Sequence, residues 1–355
     1  MPVSDEGLTQ ILRATAPGTL LRDAIDNIVD LGRGGLLLIA SENEAEQIVE
    51  TGFEIRTKIT PQRVIELSKM DRAIVIDDRI QTILYANAYL MPDPKVSSDE
   101  TGTRHMTAEK VAKQLGVTTI AVSASRGRVT IYCGPHRHTL RDIISLNAQA
   151  NQALRILEQY RATFDDLSRE MTALELEGRV LPYHVANLVQ TIIQMLTIRK
   201  EIEQIFIELG EEKELMELQL DWLMQDTEDE LKYIVWDMRA GDLRRDDALD
   251  AVRTLTHEEL PSTEKVMEAL GYEAREEEMD ETIASRGYRV LNQIPRIPLS
   301  VIERLVDTYG SLKEIRRETE EDLMEVKGIG QVRARTIRLG IQRLERSLMY
   351  WEGNA

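Results

Sequence analysis

A single cysteine, Cys133, stands in a chain of 355 residues, so no intramolecular disulfide can form. Five histidines are scattered without cysteine partners, which leaves no zinc-ligand spacing and indicates no structural metal. Apolar runs such as Gly35 to Ala40 are far shorter than the roughly 20 residues that a membrane-spanning helix needs. Met1 to Gly7 holds no secretory apolar core. These two absences predict a cytoplasmic protein with no membrane contact. No repeat occurs at a solenoid period, and a net charge of -18 argues against a protein that is generally basic and coats nucleic acid.

What is present is a globular composition, 42% apolar and 30% charged, with a length that suits two or three domains at roughly 150 residues each. The charge is unevenly placed. Residues 1–147 balance near -2 and residues 286–355 near +3, which leaves about -19 in residues 148–285. Three zones with those boundaries are therefore expected.

The first zone mixes periods. Thr19 is placed as an N-cap for a helix carrying Leu20, Leu21, Ala24, Ile25 and Ile28, which Gly34-Gly35 ends. Leu36 to Ala40, Ala73 to Ile76, Ile83 to Ala86, Thr118 to Val122 and Val129 to Tyr132 read as strands alternating with helical stretches such as Ala108 to Gln114. The expectation is an α/β domain with a mixed central sheet. The second zone is all helical, with stripes over Ala150 to Leu174, Val185 to Leu209 and Leu215 to Met238, and Gly210 set as a C-cap. Its acidic residues fall between the stripes, as on a solvated face. A boundary is expected near Ser285 to Gly287, after which a compact all-α zone follows.

In that last zone, Glu325-Val326-Lys327-Gly328-Ile329-Gly330-Gln331-Val332-Arg333-Ala334-Arg335 joins two helical patterns through two glycines. The turn carries little side-chain bulk, so N–H groups at the start of the second helix can approach a phosphate, with Lys327, Arg333 and Arg335 adding charge. The pattern resembles the helix-hairpin-helix DNA-binding module, which grips the sugar-phosphate backbone without reading bases. Ile294-Pro295-Arg296-Ile297-Pro298 looks like a degenerate first hairpin of a tandem. The competing view is a helix pair on a glycine turn that binds nothing.

Two polar segments of the first zone adjoin strand ends and helix starts, where α/β proteins hold phosphates and metals. Lys69-Met70-Asp71-Arg72-Ala73 leads into a strand, and Asp99 to Glu109 leads into a helix. Asp71 can hold a divalent ion, while Thr103, Arg104, His105 and Thr107 offer donors to a polyphosphate. A salt-bridged Asp71, a helix capped by Thr107, and Glu109 and Glu100 paired to lysines would account for the same residues.

These blocks, with Ala16-Pro17-Gly18-Thr19, Gly34-Gly35, Leu84-Tyr85-Ala86-Asn87, Leu90-Met91-Pro92-Asp93 and the glycine hairpin, occur in the order found in the DNA integrity scanning (DisA) family, which the chain resembles over nearly its whole length. The resemblance implies a diadenylate cyclase domain, a helical linker and a helix-hairpin-helix domain. It implies condensation of two ATP molecules into cyclic di-AMP where two cyclase domains face each other, within an octamer, with Mg²⁺ or Mn²⁺, modulated by branched or damaged DNA bound without regard to sequence. Asp71 would bind the metal and assist the attacking 3′-hydroxyl, and Arg104 and His105 would orient the triphosphate. Thr103 and Thr107 would hold phosphate oxygens, Leu90 would pack on adenine, and Arg72, Ala73, Met106, Ser123 and Arg126 would line the nucleotide. Lys327, Gly328, Gly330, Arg333 and Arg335 would contact DNA.

The chain departs from both family signatures: Arg72 stands where the family has glycine, and Met106 where it has a second arginine. Ser125 replaces a further common arginine. Two readings follow, an active cyclase and a catalytically weak nucleotide-sensing scaffold that binds DNA.

Overall fold

The computed structural model describes residues 5–125, 127–241, 243–273, 275 and 278–352. It divides into two compact units, Met1–Gln152 with Glu201–Leu218, and Ala153–Lys200 with Gln219–Ala355.

The first unit runs α1 (Asp5–Ala14), α2 (Leu20–Asp30), β1 (Gly35–Ile39), α3 (Glu42–Ile48), β2 (Val49–Lys58), α4 (Pro61–Ser68), β3 (Ala73–Ile76), β4 (Thr82–Leu90), α5 (Thr103–Leu115), β5 (Thr118–Val122), β6 (Val129–Cys133) and β7 (His136–Thr139). Its seven strands form one sheet in the order β2-β4-β3-β1-β5-β6-β7. Among the described residues only β1 and β3 pair parallel; the other pairs are antiparallel, so the sheet is mixed as expected.

Both faces of the central strands are covered, which is why they read as continuous apolar runs. Leu37, Ile39, Ile74, Ile76, Ile120 and Val122 pack with α1, α2 and α4 residues such as Ile11, Ile25, Ile28 and Val64. The alternate positions Leu36, Leu38, Ala73, Val75 and Ala121 pack with Ala45, Ile48, Ala108, Val111 and Ala112 of α3 and α5. Thr19 caps α2 as its sequence position predicts, accepting from Arg22 N at 3.2 Å. The edge strands β2 and β7 are mostly exposed; β2 alternates, with Val49, Thr51, Phe53 and Ile55 set between Glu50, Gly52, Glu54 and Arg56, whereas β7 is polar throughout.

The helices that follow are α6 (Ile143–Glu177), α7 (Pro182–Leu209), α8 (Glu214–Leu223), α9 (Thr227–Met238), α10 (Arg245–Arg253), α11 (Thr263–Ala269), α12 (Tyr288–Asn292), α13 (Leu299–Tyr309), α14 (Leu312–Arg317), α15 (Glu320–Glu325) and α16 (Gln331–Glu352). The stripe expected to run unbroken from Leu215 to Met238 is split between α8 and α9, because Asp226 takes a left-handed φ of +61°. Gly210 follows α7 at φ +57°, and a Cβ there would lie 2.8 Å from Ala16 Cβ.

The turn between α12 and α13 and that between α15 and α16 repeat each other at an offset of 32 residues: Leu291 matches Leu323, Ile294 Val326, Ile297 Ile329, Ile302 Ala334 and Leu305 Ile337, all in one core. Arg296 at φ +67° takes the place of Gly328 at φ +89°. The degenerate first hairpin is thus a structural one. Ser285 and Gly287, at the compositional boundary, are tied inward: Ser285 Oγ donates to Glu175 at 2.9 Å, and Gly287 N donates to Asp237 at 2.7 Å.

Candidate functional site

Sheet topology decides which distant residues meet. Continuing the register of Leu37 opposite Ile74 sets Ala73 beside Leu36 and Arg72 beside Gly35. Val122 lies opposite Gly35, so Ser123 leaves the sheet at the same end. Ala88 opposite Ala73 brings the end of β4, and with it Leu90, to that rim as well. The starts of β1 and β3 and the ends of β4 and β5 therefore collect segments predicted independently in the sequence.

The start of α5 joins them through Arg104. Gly102 is its N-cap, so Thr103, Arg104 and His105 form the first turn and Thr107 falls one turn later; the expected cap by Thr107 is absent. A Cβ at Gly34 would lie 2.7 Å from Val122 O, 2.9 Å from Ala124 N and 3.0 Å from Arg104 Nη1. With φ at +73°, this position needs glycine twice over, for conformation and for space. The Arg104 guanidinium therefore rests where β1 begins and β5 ends. It is half-buried, and no hydrogen bond or ion pair engages it among the described residues. Together with the free N–H groups of a helix start, an unpaired guanidinium makes an anion site.

His105 is half-buried with its ring edge-on to Tyr132, centroids 6.5 Å apart. Burial lowers its pKa, with Arg137, Arg128 and Arg104 adding to the effect and Glu100 opposing it, so the imidazole is neutral at pH 7. It offers a hydrogen bond there, not a charge. Glu100 accepts from Tyr132 Oη at 2.8 Å and pairs with Arg137 at 2.9 Å, where the sequence suggested a lysine. Glu109 does pair with a lysine, Lys113, at 2.7 Å, and accepts from Ser98 Oγ and Asp99 N, pinning the strand-to-helix segment. The roles of Glu100, Tyr132 and Arg137 were not legible in the sequence because they depend on the pairing of β6 with the polar strand β7, which sets Tyr132 opposite Arg137.

Asp71 lies exposed in the turn before β3. Arg72 is exposed and reaches across β4 to β2: Nη1 donates to Thr51 Oγ1 at 3.1 Å, and its guanidinium carbon lies 5.1 Å from the Tyr89 ring centroid. Because β1 lies on the other side of β3, this charge is directed away from Arg104. Ala73 is buried in the sheet. Leu90 corrects the expectation of a base-packing side chain: it is 6% exposed within the core beneath α5, since the alternation of β4 turns it inward. Thr103 is exposed, and Met106 and Thr107 are half-buried on α5. Ser123 Oγ lies 3.5 Å from Ser125 Oγ in the β5–β6 turn. Arg126 lies outside the described residues.

Among the described residues no group of three or more His, Cys, Asp or Glu side chains could hold a metal ion alone. A hard divalent cation is commonly held by one or two carboxylates plus substrate phosphates. Asp71 fits that arrangement, with a triphosphate supplying the other oxygens.

At the other end of the chain, Lys327, Gly328 and Gly330 are exposed on one turn and Arg333 and Arg335 at the start of α16, while Val326 and Ile329 anchor the turn in the core. Arg333 folds back, its Nη1 donating to Gly328 O at 2.6 Å, so it braces the hairpin as well as charging it.

Three family models match consecutive parts of the chain: the DisA bacterial checkpoint controller nucleotide-binding domain over residues 22–136, its linker region over 140–279, and a SAM-like helix-hairpin-helix tandem over 288–343. The chain is 39% identical to the DNA integrity scanning protein DisA of Carboxydothermus hydrogenoformans, covering 98% of this chain and 99% of that one. It is 37% identical to that of Acetivibrio thermocellus, covering 97% and 96%, and 40% identical to that of Symbiobacterium thermophilum, covering 95% and 96%. No helix among the described residues is long and apolar enough to cross a membrane. With an α/β nucleotide-binding domain, a helical linker and a tandem helix-hairpin-helix in that order, the chain belongs to the DisA family of diadenylate cyclases.

Proposed function

We propose that this chain condenses two ATP molecules into cyclic di-AMP with release of two pyrophosphates, and that DNA held at its helix-hairpin-helix end modulates the reaction. The observation that carries this reading is the unpaired Arg104 guanidinium at the start of α5, beside Gly34 and the end of β5. Each 3′-hydroxyl attacks the α-phosphorus of the facing ATP; a P–O bond forms, the bond to pyrophosphate breaks, and the hydroxyl proton passes to water. Two such attacks need two copies of the domain opposed, and an octamer supplies four such pairs. Arg104 holds phosphate oxygens, neutral His105 donates one hydrogen bond, and Thr103, Met106, Thr107 and Ser123 border the nucleotide. Asp71 holds a divalent cation, Mg²⁺ or Mn²⁺, which when bound supplies electrostatic stabilisation of the in-line displacement. Functional boundaries at 147 and 285 and a place in the cytoplasm, with ATP and chromosomal DNA, complete the reading.

The departures at Arg72 and Met106 favour a second reading, a weak or inactive cyclase acting as a nucleotide-sensing scaffold. Losing one charge-assisted contact in such a site costs about 3 kcal/mol, or roughly 100-fold in rate, and Arg72 points away from the place where it could compensate. Incubating the protein with ATP and Mn²⁺ and following cyclic di-AMP by chromatography separates the two. Product above an Asp71→Asn control supports the cyclase, and its absence leaves the scaffold. Arg72→Gly with Met106→Arg raises turnover if those positions limit it, and branched DNA added to the same assay tests the modulation.

A further inference from the structure

Gly328 sits at φ +89° in the second hairpin, and a Cβ built there would lie 2.8 Å from Arg304 Nη2 and 3.4 Å from its Cζ. Arg304 belongs to α13, a helix that enters the first hairpin repeat, not the second. Its guanidinium therefore approaches the glycine turn of the other repeat with Nη2 foremost. Arg304 Nε is buried with no hydrogen-bond partner, and among the described residues no ion pair engages the side chain. A half-buried cation with an orphaned donor carries a desolvation cost that the protein alone does not offset.

Around that guanidinium the chemistry is of one kind. Lys327 is exposed on the adjoining residue, and Arg333 is exposed while bonded to Gly328 O, so the turn has cations on both sides and little side-chain bulk in between. Arg304 Nη2 lies nearer the turn than the buried Nε does, 2.8 Å against 3.7 Å from where a Gly328 Cβ would stand. A planar guanidinium beside an unobstructed backbone turn is suited to the tetrahedral oxygens of a phosphodiester.

We infer that Arg304 is a DNA phosphate ligand supplied in cis by the first repeat to the hairpin of the second. The inference rests on the reading of this end as a DNA-binding module and adds to it a residue outside the hairpin. It gives Gly328 a second purpose: besides its φ, it keeps open the space that the guanidinium occupies. It also accounts for an orphaned donor that packing would otherwise eliminate.

The test is a salt titration of full-length protein binding a four-way junction DNA, comparing wild type with Arg304→Gln, Arg304→Lys and Lys327→Ala, with a melting curve for each variant. Each phosphate contact contributes about one unit to the slope of log affinity against log salt. Arg304→Gln is expected to weaken binding about 3- to 10-fold at moderate salt and to lower the slope by about one. Arg304→Lys is expected to keep the slope while losing part of the affinity. A merely structural role would lower the melting temperature and leave the slope alone. If Lys327→Ala lowers the slope and folded Arg304→Gln does not, the assignment of Arg304 is overturned while the module reading stands. If the wild type shows no salt-dependent binding at all, both fall.

Discussion

Gly34 shows how much one residue without a side chain can decide. In the sequence it ends a helix; in the structure it lets the end of β5 and the guanidinium of Arg104 approach the start of β1 to about 3 Å of where a Cβ would stand. Gly34→Ala should therefore destabilise the protein by about 1–3 kcal/mol through its left-handed φ and the close contacts, and lower ATP affinity by displacing Arg104. Denaturant midpoints and nucleotide titration check the two effects; wild-type values in both would contradict the role given to this position. His105 makes a pH-dependent prediction. Burial holds its folded pKa below the unfolded value of about 6.5, so the native state binds fewer protons in that range. Its contribution to stability is complete above pH 6.5 and is lost as pH falls through the folded pKa. An imidazole resonance assigned to His105 should titrate with a midpoint below 6.5, and a midpoint above it would show that the nearby Glu100 outweighs burial.

At the scale of elements, α12 is held to α6 and α9 by buried polar contacts. The Arg289 side chain is fully buried and paired with Glu175 at 2.6 Å and Glu230 at 2.5 Å, while Asp237 accepts from the N–H groups of Gly287, Tyr288 and Arg289. Burial and the neighbouring Glu175 push the Asp237 carboxyl up to about 7. Removing one partner of such a pair strands the other charge, so Arg289→Met should cost about 3–5 kcal/mol, read as a lowered denaturation midpoint; a loss below about 1 kcal/mol would mean that the pair breaks even with apolar packing. None of this was legible in the sequence, where Ser285 to Gly287 read as a boundary because composition changes there. Composition records which residues are present, not which carboxylates of distant helices fold onto them. The central strands and α2 were legible because burial on both sheet faces or on one helix face leaves a period. β7 was not, since a short polar edge strand leaves none, whereas β2 does alternate, Val49, Thr51, Phe53 and Ile55 with Glu50, Gly52, Glu54 and Arg56, but without an apolar run to mark it.

The whole molecule combines a glycine-turn module that carries excess positive charge with a strongly acidic middle, within a chain whose net charge is -18. On the proposed reading, general attraction to a polyanion is thereby suppressed and DNA is held only at the hairpin, where Lys327 of the turn and Arg333 and Arg335 of α16 are exposed. Binding to junction DNA should accordingly fall steeply with salt, and Lys327→Ala with Arg333→Ala should weaken it about 10-fold or more; equal affinity before and after would remove the hairpin from the interface. The order of domains was legible because several short blocks fall in sequence along the chain. The geometry that makes a site of them was not, for it depends on β1 and β3 being the one parallel pair, which brings Arg72 to the rim where Gly34 and Arg104 meet. Calorimetric titration of a non-cleavable ATP analogue with Mg²⁺ into wild type and Arg104→Ala reports on that rim: saturable binding to the wild type should weaken tenfold or more in the variant, and equal affinities would mean that the rim does not hold the nucleotide.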